Sequence, residues 1–193
     1  YASIRDMDIV NGIGIACSHQ GCGLGSFFPD YGSADIQLLP DGSFSLKVGC
    51  PDIGQGNATA FVQIAAEALY THPDNIKVEV GDTRTTPDSG STSASRSIYT
   101  GGNAIVIAAR KIRALLIAEA SRALQTAPDL LEFELDLIST RDKEKSVTYQ
   151  EIARRAAERN KVIQYTSTFD WPRSDLEFND ALGLPHYVFS YIS

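Results

Sequence analysis

Alternation of apolar and polar positions predicts the first regular elements of this chain. Apolar side chains recur at every second position on both sides of Pro40-Asp41-Gly42: Ala34, Ile36 and Leu38 before it, and Phe44, Leu46, Val48 and Cys50 after it. A period of two is typical of half-buried strands, and a turn of this composition is typical of a hairpin. We therefore predict a β-hairpin here, and further strands over residues 9–17, 76–80, 131–138 and 161–169.

Three other segments repeat their apolar side chains with the period of a helix. Residues 58–70 are apolar almost all round, which is typical of a buried helix. Residues 101–125 carry one apolar stripe, with Arg110, Lys111 and Arg113 expected to face away from it. Thr148 and Glu151 form a capping box that opens a third helix, extending to about residue 159. The polar stretches 21–32, 81–97 and 170–184 are predicted loops.

The order of these elements predicts an α+β fold, with a mixed sheet and helices packed on it. If strand 44–50, helix 58–70 and strand 76–80 form a crossover unit, the two strands run parallel while the hairpin is antiparallel. We expect residues 1–193 to form one domain. The composition changes at Thr126-Ala127-Pro128, so a subdomain boundary, if there is one, would lie near residues 126–130.

Two loops carry the candidate chemistry. The glycine loop (residues 51–57) contains Gly54-Gln55-Gly56, and the serine loop (residues 89–97) is rich in Ser and ends in Ser95-Arg96-Ser97. Each follows a strand and precedes a helix, so we predict that both lie at one edge of the sheet and contact one ligand. Backbone N–H groups, hydroxyls and Arg96 would donate to an anion, and Gln55 suits the edge of a heterocycle. An ordinary turn with a helix cap, beside a solvated loop, explains the same residues equally well.

Charge and composition exclude several classes of protein. The chain has 193 residues with 43% hydrophobic residues and a net charge of -7, which argues against a nucleic-acid partner. No apolar run approaches the ~18 residues of a membrane span. Three cysteines do not form a disulfide framework, so we expect a reducing, cytoplasmic location. Cys17, His19 and Cys22 lack a second ligand pair, so we predict no protein-ligated metal.

Several short motifs resemble a known family. Gly54-Gln55-Gly56, Gln63-Ile64-Ala65-Ala66-Glu67, Ser93-Ala94-Ser95-Arg96 and Gly102-Asn103-Ala104 are similar, in order and spacing, to the molybdopterin-binding large subunit of the xanthine dehydrogenase and aldehyde oxidase family. The resemblance extends from about residue 12 to residue 113. It identifies the chain as a fragment from the C-terminal part of such a molybdenum hydroxylase subunit. The first residue, Tyr1, and the strand-like last residues also make us expect a piece of a longer polypeptide.

The resemblance implies a role for each motif. Gly54, Gln55 and Gly56 would lie against the pterin and the molybdenum ligands, and Ala94 would lie near the metal. Ser95, Arg96 and Ser97 would bind the pterin or its phosphate. In this family the pterin holds the molybdenum, so no protein metal ligand is implied. The family's catalytic glutamate belongs to a Gly-x-Gly-Glu motif that would lie beyond Ser193, so we expect no catalytic residue in this chain and no activity from it alone.

The resemblance also implies what the parent enzyme does. It would hydroxylate an aldehyde or an N-heterocycle with water, using a mononucleotide or dinucleotide form of the molybdopterin cofactor. Electrons would pass to iron–sulfur clusters and FAD on other domains or subunits, which together with the rest of the large subunit are the implied partners. Two alternatives remain open: a non-catalytic anion- or nucleotide-binding module, and a purely structural subunit-interface domain. Metal analysis of the full-length protein distinguishes among them.

Overall fold

The main sheet has four strands in the order β3-β2-β1-β7. The structure, a computed structural model, describes residues 13–17, 23–24 and 28–171. Strands β1 (Tyr31–Leu38) and β2 (Phe44–Val48) form the predicted hairpin, and β7 (Gln164–Asp170) pairs antiparallel with the other side of β1. Strand β3 (Ile76–Val80) pairs parallel with β2, which confirms the crossover and the predicted mixed sheet.

Two helices cover one face of this sheet. Helix α1 (Asn57–Leu69) connects β2 to β3, and helix α2 (Ser97–Leu124) packs on β1, β7 and α1. Buried apolar side chains from the helices and strands form a single cluster that includes Ile36, Leu46 and Phe61. The α+β fold class is therefore confirmed. Within the described ranges, no helix combines the length and apolar character that crossing a lipid bilayer requires.

A smaller antiparallel sheet has the order β4-β5-β6, and helix α3 (Tyr149–Glu158) follows it. Its strands are β4 (Leu131–Glu134), β5 (Leu137–Thr140) and β6 (Ser146–Thr148). The hydroxyl of Thr148 accepts a hydrogen bond from the N–H of Glu151 at 3.2 Å, so the predicted cap of α3 is confirmed. Leu131, Ile138 and Ile152 join the same core cluster as the main sheet.

Three predictions about these elements were wrong. Residues 131–138 are two strands rather than one, because Asp136 takes a left-handed conformation with φ 61° and turns the chain between β4 and β5. Residues 13–17, the described part of the predicted first strand, are irregular, with Ile13 99% exposed. Arg113 does not point away from the elements that pack against α2, since its guanidinium carbon lies 4.9 Å from the ring centre of Tyr70.

A close approach at Gly49 brings the two candidate loops together. Gly49 follows β2, and a Cβ atom placed on it would lie 2.0 Å from the carbonyl oxygen of Pro87 and 2.7 Å from the hydroxyl of Ser89. A residue with a side chain would therefore push the second half of the 81–96 segment away from the end of β2. The absence of a side chain at this position lets the serine loop lie directly against the start of the glycine loop.

Candidate functional site

The glycine loop and the serine loop meet at one pocket. Both leave the carboxyl ends of parallel strands, β2 and β3, and therefore emerge at the same edge of the sheet. The pocket between them, which we call the interloop pocket, has a volume of about 420 Å³. It is lined by Ile53, Gln55, Asn57, Thr92, Ser93, Ala94, Ser95, Ser97 and Ile98. The prediction that the two loops lie at one edge of the sheet, close enough to contact one ligand, is confirmed.

Asp52 organises the glycine loop. Its carboxylate accepts hydrogen bonds from the N–H groups of Gly54 at 3.0 Å, Gly56 at 3.2 Å and Ala58 at 3.0 Å. These bonds, above all the one from Ala58, hold the pKa of Asp52 below its usual range. The start of α1 therefore already carries a negative charge. Our expectation that this helix end offers free donors to an anion was wrong.

The two glycines set the backbone conformation at the tip of the loop, although there is room for a side chain at either position. Gly54 and Gly56 have φ values of 106° and 81°, which only glycine adopts without strain, yet a Cβ atom on either would meet nothing within 4 Å. Gln55 between them is exposed. Its side-chain oxygen accepts from the N–H of Ile53 at 2.6 Å, and its side-chain nitrogen donates to the carbonyl of Pro51 at 3.1 Å. The amide thus lies at the pocket with local partners only, so a ligand could replace them at little cost.

The serine loop, by contrast, is held in an uncommon backbone conformation. Ala94 and Ser95 have φ values of 50° and 53°, two consecutive left-handed residues that are not glycine. Such residues cost of order 1–3 kcal/mol each and persist only where the surroundings fix them. One such contact is the hydrogen bond from the N–H of Gly23 to the carbonyl of Ala94 at 2.9 Å. Strain of this kind is concentrated at functional sites.

The buried side chain of Arg96 fixes the conformation of the serine loop. The residue is fully buried, and its guanidinium forms an ion pair with Asp30, whose side chain is 8% exposed. It also donates to the carbonyl oxygens of Tyr31, Ser89 and Ser91. Arg96 is therefore absent from the pocket lining, and its side chain holds the loop rather than presenting a charge to a ligand. This placement differs from the expected contact with a phosphate.

The start of α2 forms another wall of the interloop pocket. Ser97 and Ile98 line it, and the side chain of Arg96, the N-cap residue, makes no capping hydrogen bond. The first N–H groups of a helix lack intrahelical partners and carry a partial positive charge. Burial raises the pKa of the nearby Cys50 thiol, so it stays protonated and adds no negative charge to this end of the helix. Of the two helix ends at the pocket, only that of α2 can attract an anion.

Two pocket residues escaped the sequence analysis. Oδ1 of Asn57 and Oγ1 of Thr92 are buried side-chain oxygens, and no hydrogen-bond partner reaches either among the described residues. Buried polar atoms are nearly always paired, so an unpaired one calls for a ligand or a water. Asn57 ends the glycine loop and was interpreted only as a helix cap, but it makes no capping bond, and its Nδ2 donates to Pro51 instead.

Comparisons with known proteins find relatives of this chain. The model of a family described as "Molybdopterin cofactor-binding domain" matches residues 2–192. The large chain of carbon monoxide dehydrogenase from Afipia carboxidovorans is 36% identical over 124 residues, which are 64% of this chain and 15% of that protein. A probable xanthine dehydrogenase subunit from Bacillus subtilis is 28% identical over 185 residues, covering 93% of this chain and 23% of that protein.

A solved structure shares the fold. The crystal structure of a Cu,Mo-CO dehydrogenase matches with a TM-score of 0.68 and 30% sequence identity, over 82% of this chain and 21% of that one. The chain thus corresponds to less than a quarter of the length of each of these three proteins.

Proposed function

The chain belongs to the molybdopterin cofactor-binding domain family, and from this premise we propose that the interloop pocket is where it contacts the cofactor. The observation that carries the proposal is a pair of buried oxygens at this pocket, Asn57 Oδ1 and Thr92 Oγ1, that have no hydrogen-bond partner among the described residues. A pterin offers ring N–H and amino donors as well as acceptors, so an amide oxygen and a hydroxyl fit it chemically. The pocket volume of about 420 Å³ is in the range of cofactor sites.

The charges around the pocket orient the cofactor within it. Asp52 places a carboxylate at the start of α1, which repels a phosphate on that side. The start of α2 carries no described carboxylate, and its partial positive charge attracts a phosphate. We infer that the anionic part of the cofactor lies toward Ser95, Ser97 and Ile98. The neutral part then faces Gln55, Asn57 and Thr92.

The residues of this chain bind and position; none of them acts as a proton donor or acceptor in our account. When bound, the molybdenum of the cofactor supplies the redox chemistry. Arg96 and Asp30 keep the left-handed backbone at Ala94 and Ser95 in place, so the loop meets the cofactor without further ordering. The side-chain amide of Gln55 can give up its hydrogen bonds within its own loop and form hydrogen bonds with the cofactor instead, as donor and as acceptor. Positioning of this kind lowers the entropic cost of binding.

For the parent protein we propose a molybdenum-dependent oxidoreductase that hydroxylates an aldehyde or an N-heterocycle with water. Its remaining large-subunit residues, iron–sulfur clusters and FAD would supply the rest of the electron path, and we propose a cytoplasmic location. Relatives named as xanthine dehydrogenase and aldehyde oxidoreductase support this class. The family match favours it over an anion- or nucleotide-binding module without catalysis.

Thr92→Val in the parent enzyme tests the pocket assignment. The change removes one unpaired buried hydroxyl at nearly constant shape, so the melting temperature should stay the same or rise. Loss of a hydrogen bond to the cofactor should cost about 1–3 kcal/mol, or roughly fivefold to a hundredfold in cofactor affinity. Molybdenum and pterin content per protein, after dialysis, measures this. Thr59→Val, on the exposed side of α1, is the control. Unchanged cofactor content in Thr92→Val would remove the observation on which the proposal depends.

A further inference from the structure

Three neighbouring cations on α2 have no acidic partner among the described residues. Arg110, Lys111 and Arg113 lie within one helical turn, and none is within ion-pair distance of a carboxylate in that part of the chain. The contrast with the next turns of the same helix is clear. There Glu119 is almost fully buried and pairs with Arg122, Arg159 and Lys161. Although the chain has a net charge of -7, these positive charges are unpaired within the part of it that the structure describes.

A groove runs beside these cations. It has a volume of about 510 Å³ and is lined by Arg110, Arg113, Ala114, Ile117 and Phe133; we call it the α2 groove. The guanidinium of Arg113 lies over two rings, 4.9 Å from the centre of Tyr70 and 5.0 Å from that of Phe133. Its Nε is buried and has no hydrogen-bond partner in the described residues. Asp136, in the adjacent turn, is already engaged by Thr71 and Asn75.

The surroundings of the groove are apolar as well as basic. Tyr70 is 42% exposed and its ring stacks on that of Phe133. Leu135, which is 62% exposed, lies with Tyr70 at the neighbouring pocket. Arginine and aromatic residues together are enriched at the centres of protein–protein interfaces. A free phosphate would gain nothing from the apolar side chains. A protein segment that carries a carboxylate beside apolar residues would satisfy both features.

We propose that the α2 groove binds an acidic segment of the parent enzyme that lies outside residues 1–193. A carboxylate of that segment pairs with Arg110 and Arg113, which lie three positions apart and both line the groove, and its apolar side chains cover Ile117 and Phe133. Relatives named as a large chain or as one subunit belong to enzymes with further chains, and the matched stretch is 15–23% of those relatives. The groove is distinct from the cofactor pocket. Arg113 is 16 residues from Ser97 along α2, about 24 Å at the helical rise.

Zero-length carbodiimide crosslinking of the purified parent enzyme, followed by peptide mapping, tests the proposal. In the variant Arg110→Lys, which places an amine in the groove lining, we expect that amine to be joined to an Asp or Glu outside residues 1–193. The ion pair between Lys77 and Asp41, at 2.8 Å, is an internal positive control in the same chain. Adding Ile117→Glu, a change in the same groove lining, should reduce the yield of this crosslink about fivefold or more, because it repels the incoming carboxylate. Arg84→Glu, an exposed charge change elsewhere, should leave that yield unchanged.

Two results would overturn the proposal. One is the absence of any crosslink from the amine introduced by Arg110→Lys in a preparation where Lys77 is joined to Asp41. The other is a crosslink from that amine to an acid within residues 1–193, including Asp175, Glu177 or Asp180, which lie outside the described residues. Molybdenum content measured on the same preparations separates this proposal from the cofactor proposal. A protein that keeps its crosslink but lacks molybdenum contradicts only the latter.

Discussion

The two loops that form the interloop pocket are built in opposite ways. The glycine loop is exposed, and its hydrogen bonds join residues no more than six positions apart, such as those of Asp52 and Gln55. The serine loop rests on Arg96, which is fully buried and bonded to Asp30 and Tyr31, more than 60 positions earlier in the sequence. One loop can adapt to a ligand, whereas the other is fixed by the core.

From this difference we expect the serine loop to position the cofactor and the glycine loop to add hydrogen bonds to it. A rigid loop sets where the cofactor lies, because its backbone is ordered before binding. An adaptable loop adds hydrogen bonds that form only when the cofactor arrives. Changes beneath the serine loop should therefore act mainly on stability, and changes in the glycine loop mainly on cofactor retention.

Arg96→Met should give the largest effect. It leaves the carboxylate of Asp30 buried without its partner, and breaking such a pair typically costs about 3–5 kcal/mol in the free energy of unfolding. Urea denaturation of the chain measures this. Arg154→Met, which removes a cation from exposed ion pairs on α3, is the control and should have little effect. Equal stability of the two variants would mean that the serine loop is not fixed by Arg96.

Gln55→Ala should leave the melting temperature unchanged and reduce the amount of cofactor that the enzyme retains. A ligand group left unpaired costs about 1–3 kcal/mol, or roughly fivefold to a hundredfold in affinity. Gln63→Ala is the matched control, because Gln63 is exposed in the middle of α1, away from the pocket. Molybdenum content and melting temperature of both variants of the parent enzyme are compared. Matched melting temperatures with equal molybdenum content would mean that Gln55 forms part of the turn but does not contribute to cofactor binding.

Gly56→Ala isolates the backbone conformation of the glycine loop. A Cβ atom there meets no neighbour, so any loss comes from the φ of 81° alone. An L-residue held in the left-handed region should lower the free energy of unfolding by about 1–2 kcal/mol. Gly14→Ala is the control, since it too has open space but no left-handed φ. If both variants are equally stable, the loop rearranges freely and is more adaptable than we infer.

Local patterns in the sequence were enough for much of the fold. The hairpin, the crossover and the meeting of both loops at one edge follow from periodicity and from the handedness of βαβ units. The role of Arg96 did not follow, because a Ser-Arg-Ser loop indicates a phosphate contact unless the distant partner Asp30 is known. The unpaired oxygens of Asn57 and Thr92 also depend on three-dimensional burial, which no periodicity reports. Asp136 shows the same limit on a smaller scale, since one left-handed residue divides an apparently continuous strand.

The smallest effect we expect is the response of the glycine loop to acid. Its source is Asp52, whose pKa is lowered below 3.8 because the ionised carboxylate accepts hydrogen bonds, first from the N–H of Ala58 and then from that of Gly54. A carboxyl group with a lowered pKa in the folded state adds stability above its unfolded pKa, and this contribution is lost as the pH falls through the folded pKa. The cap of α1 should therefore weaken at a lower pH than an unperturbed aspartate titrates, and the chemical shift of the Ala58 amide measures protonation of Asp52. In Asp52→Asn the shift should lose this titration. A midpoint at or above 3.8 would mean that the helix amides do not hold the carboxylate, and the glycine loop would then lack the internal support that distinguishes it from a solvated turn.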